Sequence, residues 1–109
     1  MRTADLTGAA LDWAVAKCEG FDYFEAFLYA PSQLWEQGGL IIEREWIDVV
    51  KPVNSVCWVA AMHYQNDDDE RTQTSEEQGE TPLIAAMRCY VASKLGDEIE
   101  LPEELMTHA

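Results

Sequence analysis

The sequence predicts an α+β fold: a small antiparallel sheet packed with two to three helices, in the order α-β-α-β-β-α. Three observations carry this reading. Thr81 to Gly96 is a helix with both ends marked. Ser55 to His63 alternates like a strand. No linker or repeat divides the 109 residues, a single-domain length.

Taken in order, the first helix starts near Thr7, whose hydroxyl suits an N-cap, with Leu6 placed to staple onto Leu11. Leu11, Ala14, Val15 and Cys18 form its apolar face, Trp13 lies at the edge of that stripe, and Gly20 stops it. The aromatic stretch Phe21 to Tyr29 reads as a strand, broken by Ala30-Pro31-Ser32. Ser32 then caps a second helix through LWEQGGLIIEREWI, with Trp35, Gly39, Ile42 and Trp46 on one face. Gly38-Gly39 weakens that helix, and the alternative is a turn followed by a strand from Leu40. Ile47 to Val50 is a short strand and Lys51 to Asn54 a turn.

In Ser55 to His63, Val56, Trp58, Ala60 and Met62 face one way, and Cys57, Val59, Ala61 and His63 the other. Both faces are mostly apolar, which predicts cover on both sides. Residues 65–80 are acidic and poor in apolar side chains. They predict a mobile solvated loop, with Asp67 to Glu77 dispensable for folding. In the last helix Thr81 caps, Pro82 takes the first position, and Gly96 ends it. Ile84, Met87, Val91 and Leu95 make an apolar stripe, widened by Leu83 and Ala86. This helix reads as a lid crossing the Ser55–His63 strand, with Met87 and Trp58 in one core. Ile99 and Leu101 lie back on that core, and the tail from Glu103 frays.

Composition narrows the function. Hydrophobic residues make up 48% of the chain, a globular proportion. No apolar run is long enough for a bilayer and MRTADLTG lacks a secretory apolar region, so a cytoplasmic protein is expected. The three widely spaced cysteines, Cys18, Cys57 and Cys89, predict free thiols in a reducing compartment. Twenty-one acidic against seven basic residues give a formal charge of −14. That disfavours direct nucleic-acid binding and predicts a protein partner with a basic surface.

No catalytic set is predicted, and the chain reads as a non-enzyme without cofactor. The soft ligands Cys18, Cys57, Cys89, His63 and His108 lack the local pairs that zinc sites use. Asp67 to Glu70 lacks the alternating calcium-loop pattern. Cys57 and His63 are about 20 Å apart along an extended strand, too far for a nucleophile and its base. Cys89 adjoins Arg88, which would lower its pKa slightly, but no base accompanies it. The carboxylate pairs Glu43/Glu45 and Glu98/Glu100 read by default as solubilising charge.

Two binding surfaces remain as candidates. One is anionic, with Glu43, Glu98, Glu100 and Glu103. The other is the Ser32–Gly39 block, where Trp35 and Gln37 could serve a small-ligand, enzymatic or protein-binding site. Against the second stands the more frequent role of such a Trp, burial in the core. Arg44 and Arg88 are expected to pair with nearby glutamates. A homodimer burying Trp13 or Phe24 is a further possibility.

LTGAALDWAVAKCEG, YAPSQLWEQGGLIIERE and TPLIAAMRCYVASKLGDEIELPEEL, with a Trp-containing strand before the last, resemble the NinX family of lambdoid bacteriophages. The pattern is similar, more loosely, to small phage alpha-beta-alpha sandwich domains. Phe21 to Leu28 and Asp67 to Glu70 depart from the resemblance. It implies a phage or prophage origin and an accessory role in the host cytoplasm. It carries no catalytic residues. An inhibitor of a host defence or nucleic-acid-handling complex, of anti-CRISPR or anti-restriction type, is the sharpest function consistent with that origin and the charge.

Overall fold

A computed structural model describes residues 1–22, 24–25, 28–66 and 69–106. After a short 3-10 turn at Thr3–Asp5 come α1 (Gly8–Cys18), α2 (Trp35–Glu45), β1 (Asp48–Val50), β2 (Trp58–Asn66), β3 (Asp69–Gly79), α3 (Pro82–Leu95) and α4 (Glu103–Met106). The strands form one antiparallel meander, β1-β2-β3. The α+β class therefore holds, but with strands at different places.

The centre is α3. Thr81 Oγ1 accepts from the Ile84 N–H at 3.1 Å, Pro82 starts the helix, and Gly96 leaves it at φ 85°. This helix is not a lid. It contacts all three strands on one side and α1, α2 and the 3-10 turn elsewhere. Buried residues accordingly surround it: Leu83, Ala85, Ala86, Met87, Cys89, Tyr90 and Val91. A helix that is apolar all round belongs inside. The predicted stripe caught Met87 and Val91 but not Ala85, Cys89 or Tyr90. Leu6, Leu11, Ala14 and Val15 share the core with Met87, Ala60 and Met62, and Trp58 packs against its edge.

No strand forms among the described residues of Phe21–Tyr29. Leu28 and Tyr29 both donate backbone N–H bonds to the Glu25 carbonyl at 2.9 Å rather than to a neighbouring strand. The rings of Phe21 and Tyr29 meet edge to face at 4.9 Å and close that loop. Tyr23, Ala26 and Phe27 lie outside the described residues. Conversely, β3 runs where a solvated loop is expected, pairing with β2 from Trp58↔Gly79 to Gln65↔Thr72. Its inward positions are small or polar, and Ser75 is satisfied there. Ser75 Oγ donates to the Cys89 carbonyl at 2.9 Å, and Cys89 Sγ donates to the Ser75 carbonyl at 3.2 Å. At Gly79 an added Cβ would lie 2.5 Å from Ala85 N, so the missing side chain lets α3 settle on the strand. Removing residues through Glu77 would therefore remove part of the sheet. Asp67 and Asp68 lie outside the described residues, so the calcium question there does too.

β2 starts at Trp58 rather than Ser55. Ser55 Oγ accepts from Cys57 N–H at 3.1 Å and donates to the Cys57 carbonyl at 3.0 Å, holding a local turn. Among the described residues, one face of β2 is covered and the other is open. Ala60 and Met62 are buried against α3, while His63 is exposed on the other face and Val56 lies before the strand, also exposed.

The tail is tied rather than loose over its first part. Met1 and Ile99 exchange two backbone bonds, 2.8 and 2.9 Å long, and Thr3 Oγ1 donates to the Gly96 carbonyl at 2.6 Å. Ile99 and Leu101 pack on the core as expected, and Glu103–Met106 is a short helix. Thr107, His108 and Ala109 lie outside the described residues.

Candidate functional site

The six candidate residues fall in three places. Trp35 and Gln37 open α2, while Glu43 is near its other end, about 12 Å further along the axis. Glu98 and Glu100 line a cleft beside Trp13, Lys17 and Leu95, and Glu103 begins α4. The anionic group is thus divided. At the tail, Glu98 lies 3.6 Å from the terminal ammonium and shares its cleft with Lys17, so positive charge is already present there.

Several polar groups of the Ser32–Gly39 block bond within the fold. Gln37 donates its amide to the Leu28 carbonyl at 2.7 Å and accepts from the Ala30 N–H at 2.6 Å. Ser32 does not cap α2; Leu34 occupies that position, with no side-chain cap bond. Instead the Ser32 N–H donates to Asp12 Oδ1 at 2.8 Å, and Gln33 Nε2 donates to Asp12 Oδ2 at 3.1 Å. Asp12 is buried, and burial raises its pKa against the bonds from Ser32 and Gln33. In the sequence Asp12 carries no local mark that sets it apart among 21 acids. Trp35 is 58% exposed, not core, because the apolar side of α2 runs through Ile41 instead.

A second polar cluster joins three helices. Arg44 donates both terminal nitrogens to the Glu19 carboxylate at 2.8 Å, and Tyr90 Oη donates to Glu19 Oε2 at 2.7 Å. The Arg44 bond holds Glu19 below the usual glutamate range, against partial burial. This matches the expected Arg–Glu pairing. Arg88 does otherwise, donating to the Leu6 and Gln78 carbonyls at 2.8 Å. Because the folded pKa of Glu19 is lowered, its stabilising contribution is present above the unfolded value near 4.5 and is lost as pH falls through the folded value. Urea titrations should therefore show the stability gap between wild type and Glu19→Gln at its widest near neutrality and closing in acid. A gap that widens in acid would contradict the clamp.

The thiols are free, and those of Cys18 and Cys89 are not activated. Burial pushes Cys18 up to about 12 and Cys89 up to about 11. For Cys89 this corrects the expectation that Arg88 lowers it. Cys57 and His63 line different clefts. Among the described residues no group of three His, Cys, Asp or Glu side chains is placed to hold a metal ion, and no helix is long and apolar enough to cross a membrane.

The most unusual surface is the corner where α2 hands over to β1. Trp46 does not continue the helix. It takes left-handed backbone at φ 55° and ψ 50°, its N–H donating to the Glu43 carbonyl, while the Ile47 N–H donates to the Ile42 carbonyl at 3.0 Å. This is a Schellman stop with Trp in the place usually held by Gly. Ile47 turns inward and is buried, and Trp46 is left 86% exposed. A groove of about 780 Å³ lies beside it, lined by Ile42, Glu43, Glu45, Ile47, Asp48 and His63. It opens onto the outer sheet face. There Asp48 and Val50, Val59, Ala61 and His63, and Thr74 and Glu76 stand side by side by register. Val53 and Val56, 90% and 87% exposed, extend the apolar area through the β1–β2 turn.

The family model described as bacteriophage P22 NinX matches residues 2–94. No curated protein matches the chain.

Proposed function

The chain belongs to the NinX family of bacteriophage P22, and on that ground is a small phage accessory protein; we propose that it acts by binding a host protein in the host cytoplasm, without catalysis. The observation that carries this reading is the open sheet face. Trp46 and Val50 are exposed along it with Glu43, Asp48 and Glu76, and Val53 and Val56 are exposed in the turn at its far end. Apolar anchors within a charged rim are how protein interfaces are built. With a net charge of −14, the complementary surface is basic. Host nucleic-acid-handling and defence complexes, of the kind that anti-CRISPR and anti-restriction proteins block, present such surfaces in their nucleic-acid channels.

The test is capture from host lysate on immobilised full-length protein. A discrete host protein should be retained at about 50 mM salt and released near 500 mM, as screened charge pairing requires. Added nucleic acid should compete with it. Retention of no host protein, or of one indifferent to salt and nucleic acid, would sink the charge-led reading.

A further inference from the structure

Trp46 and its groove do more than the fold asks of them. A left-handed residue with a side chain is disfavoured, and such residues gather at ligand clamps. Here the side chain that imposes the strain is not used for packing. The side-chain carboxylates of Glu43 and Asp48, on the groove wall, make no hydrogen bond or ion pair among the described residues. Glu45, the third carboxylate, is held by Arg44, whose other nitrogens are turned to Glu19. Ile42 and Ile47 supply apolar wall. The groove therefore offers an indole plate, two uncompensated carboxylates and hydrocarbon, side by side.

We infer that this groove seats an arginine side chain presented by the protein partner, an inference that rests on the protein-binding reading above. A guanidinium is flat, stacks on an indole face and donates in a fork to carboxylates. A lysine ammonium shares the charge but not the planar stacking. The groove's charge also selects against other occupants. Phosphate groups would be repelled by Glu43 and Asp48. A second copy would bring the same carboxylates together on chains of −14 each.

The test titrates 15N-labelled full-length protein with the capped peptide Gly-Ser-Arg-Ser-Gly and with its lysine and citrulline counterparts. The arginine peptide should shift the Trp46 indole N–H and the Asp48 and His63 amides saturably. The lysine peptide should bind roughly threefold more weakly and the citrulline peptide immeasurably, since charge and planarity are both needed. Trp46→Gly, and separately Glu43→Gln with Asp48→Asn, should each weaken binding roughly fivefold or more, the loss expected for one stacking or charge contact. Melting curves would confirm that both remain folded. Glu98→Gln with Glu100→Gln and Glu103→Gln should change binding by less than about twofold, because exposed charges beyond a Debye length are screened. Shifts absent at Trp46, equal binding of all three peptides, equal loss in the tail variant, or a dimer that masks Trp46 would each overturn the inference. Its failure is separable from that of the broader reading. A host protein retained equally by wild type and Trp46→Gly removes the groove and leaves protein binding. Retention of nothing removes protein binding itself.

Discussion

Met87→Asp should yield a chain with no cooperative unfolding transition. Met87 is 0% exposed and stands between the sheet and α1, in the same cluster as Ala60, Met62, Leu11 and Val15. A carboxylate there has no partner, and an unpaired buried charge costs several kcal/mol, about as much as a domain of this size has to lose. Met87→Leu keeps the volume and should melt cooperatively, at a cost of less than about 1.5 kcal/mol. Circular dichroism on heating reads both. An aspartate variant that unfolds at the wild-type midpoint would place α3 outside the core and refute the packing described above.

The adjacent glycines of α2 should respond to alanine with opposite signs. At Gly38 a Cβ would overlap the Pro31 carbonyl oxygen and come within 2.7 Å of Leu83 Cδ2. The obstacle is backbone, and that backbone is pinned through the Ser32 N–H to Asp12. Gly38→Ala should therefore cost about 3 kcal/mol or force the loop away from α1. At Gly39 a Cβ would meet only Trp35 Cε3, at 3.5 Å, an ordinary contact. Gly39→Ala should stabilise the helix by up to about 1 kcal/mol. Denaturant midpoints of the two variants settle this, and equal shifts would mean that the Pro31 approach is not a constraint.

These two glycines show how far the sequence could be read. Gly38-Gly39 looked like a weakness in a helix or a binding bend, because a missing side chain does not say what approaches it. The same limit hid β3. Its inward residues include Ser75 and Glu77, which fail every test for a strand facing a core, and only the exchange of bonds between Ser75 and Cys89 makes Ser75 acceptable there. Tertiary context overrode composition. Phe21 to Tyr29 failed in the other direction. Its aromatic content suits a strand, but the bonds to the Glu25 carbonyl and the Phe21–Tyr29 contact are local. Where capping chemistry was complete in the sequence, as in Thr81, Pro82 and Gly96, the element was found with its ends.

The candidate site was half legible. Glu43 was named, and the structure sets it at the groove. Trp46 was assigned to the face of a continuing helix because a left-handed stop is normally announced by Gly or Asn, and here a Trp performs it. The openness of the outer sheet face was missed for a related reason. Val59 and Ala61 are apolar enough to suggest cover, and periodicity cannot distinguish a face buried by the fold from one available to a partner.

As proposed above, the partner docks on the α2–β1 corner and the outer sheet face. Hydrogen–deuterium exchange of the full-length chain, free and with its captured host protein, tests it most directly. Protection on binding should gather at Glu43 to Val50 and Trp58 to Gln65, and the Asp97 to Glu103 tail should exchange as in the free protein. Protection confined to that tail, or to the Pro31 to Gln37 loop, would contradict it.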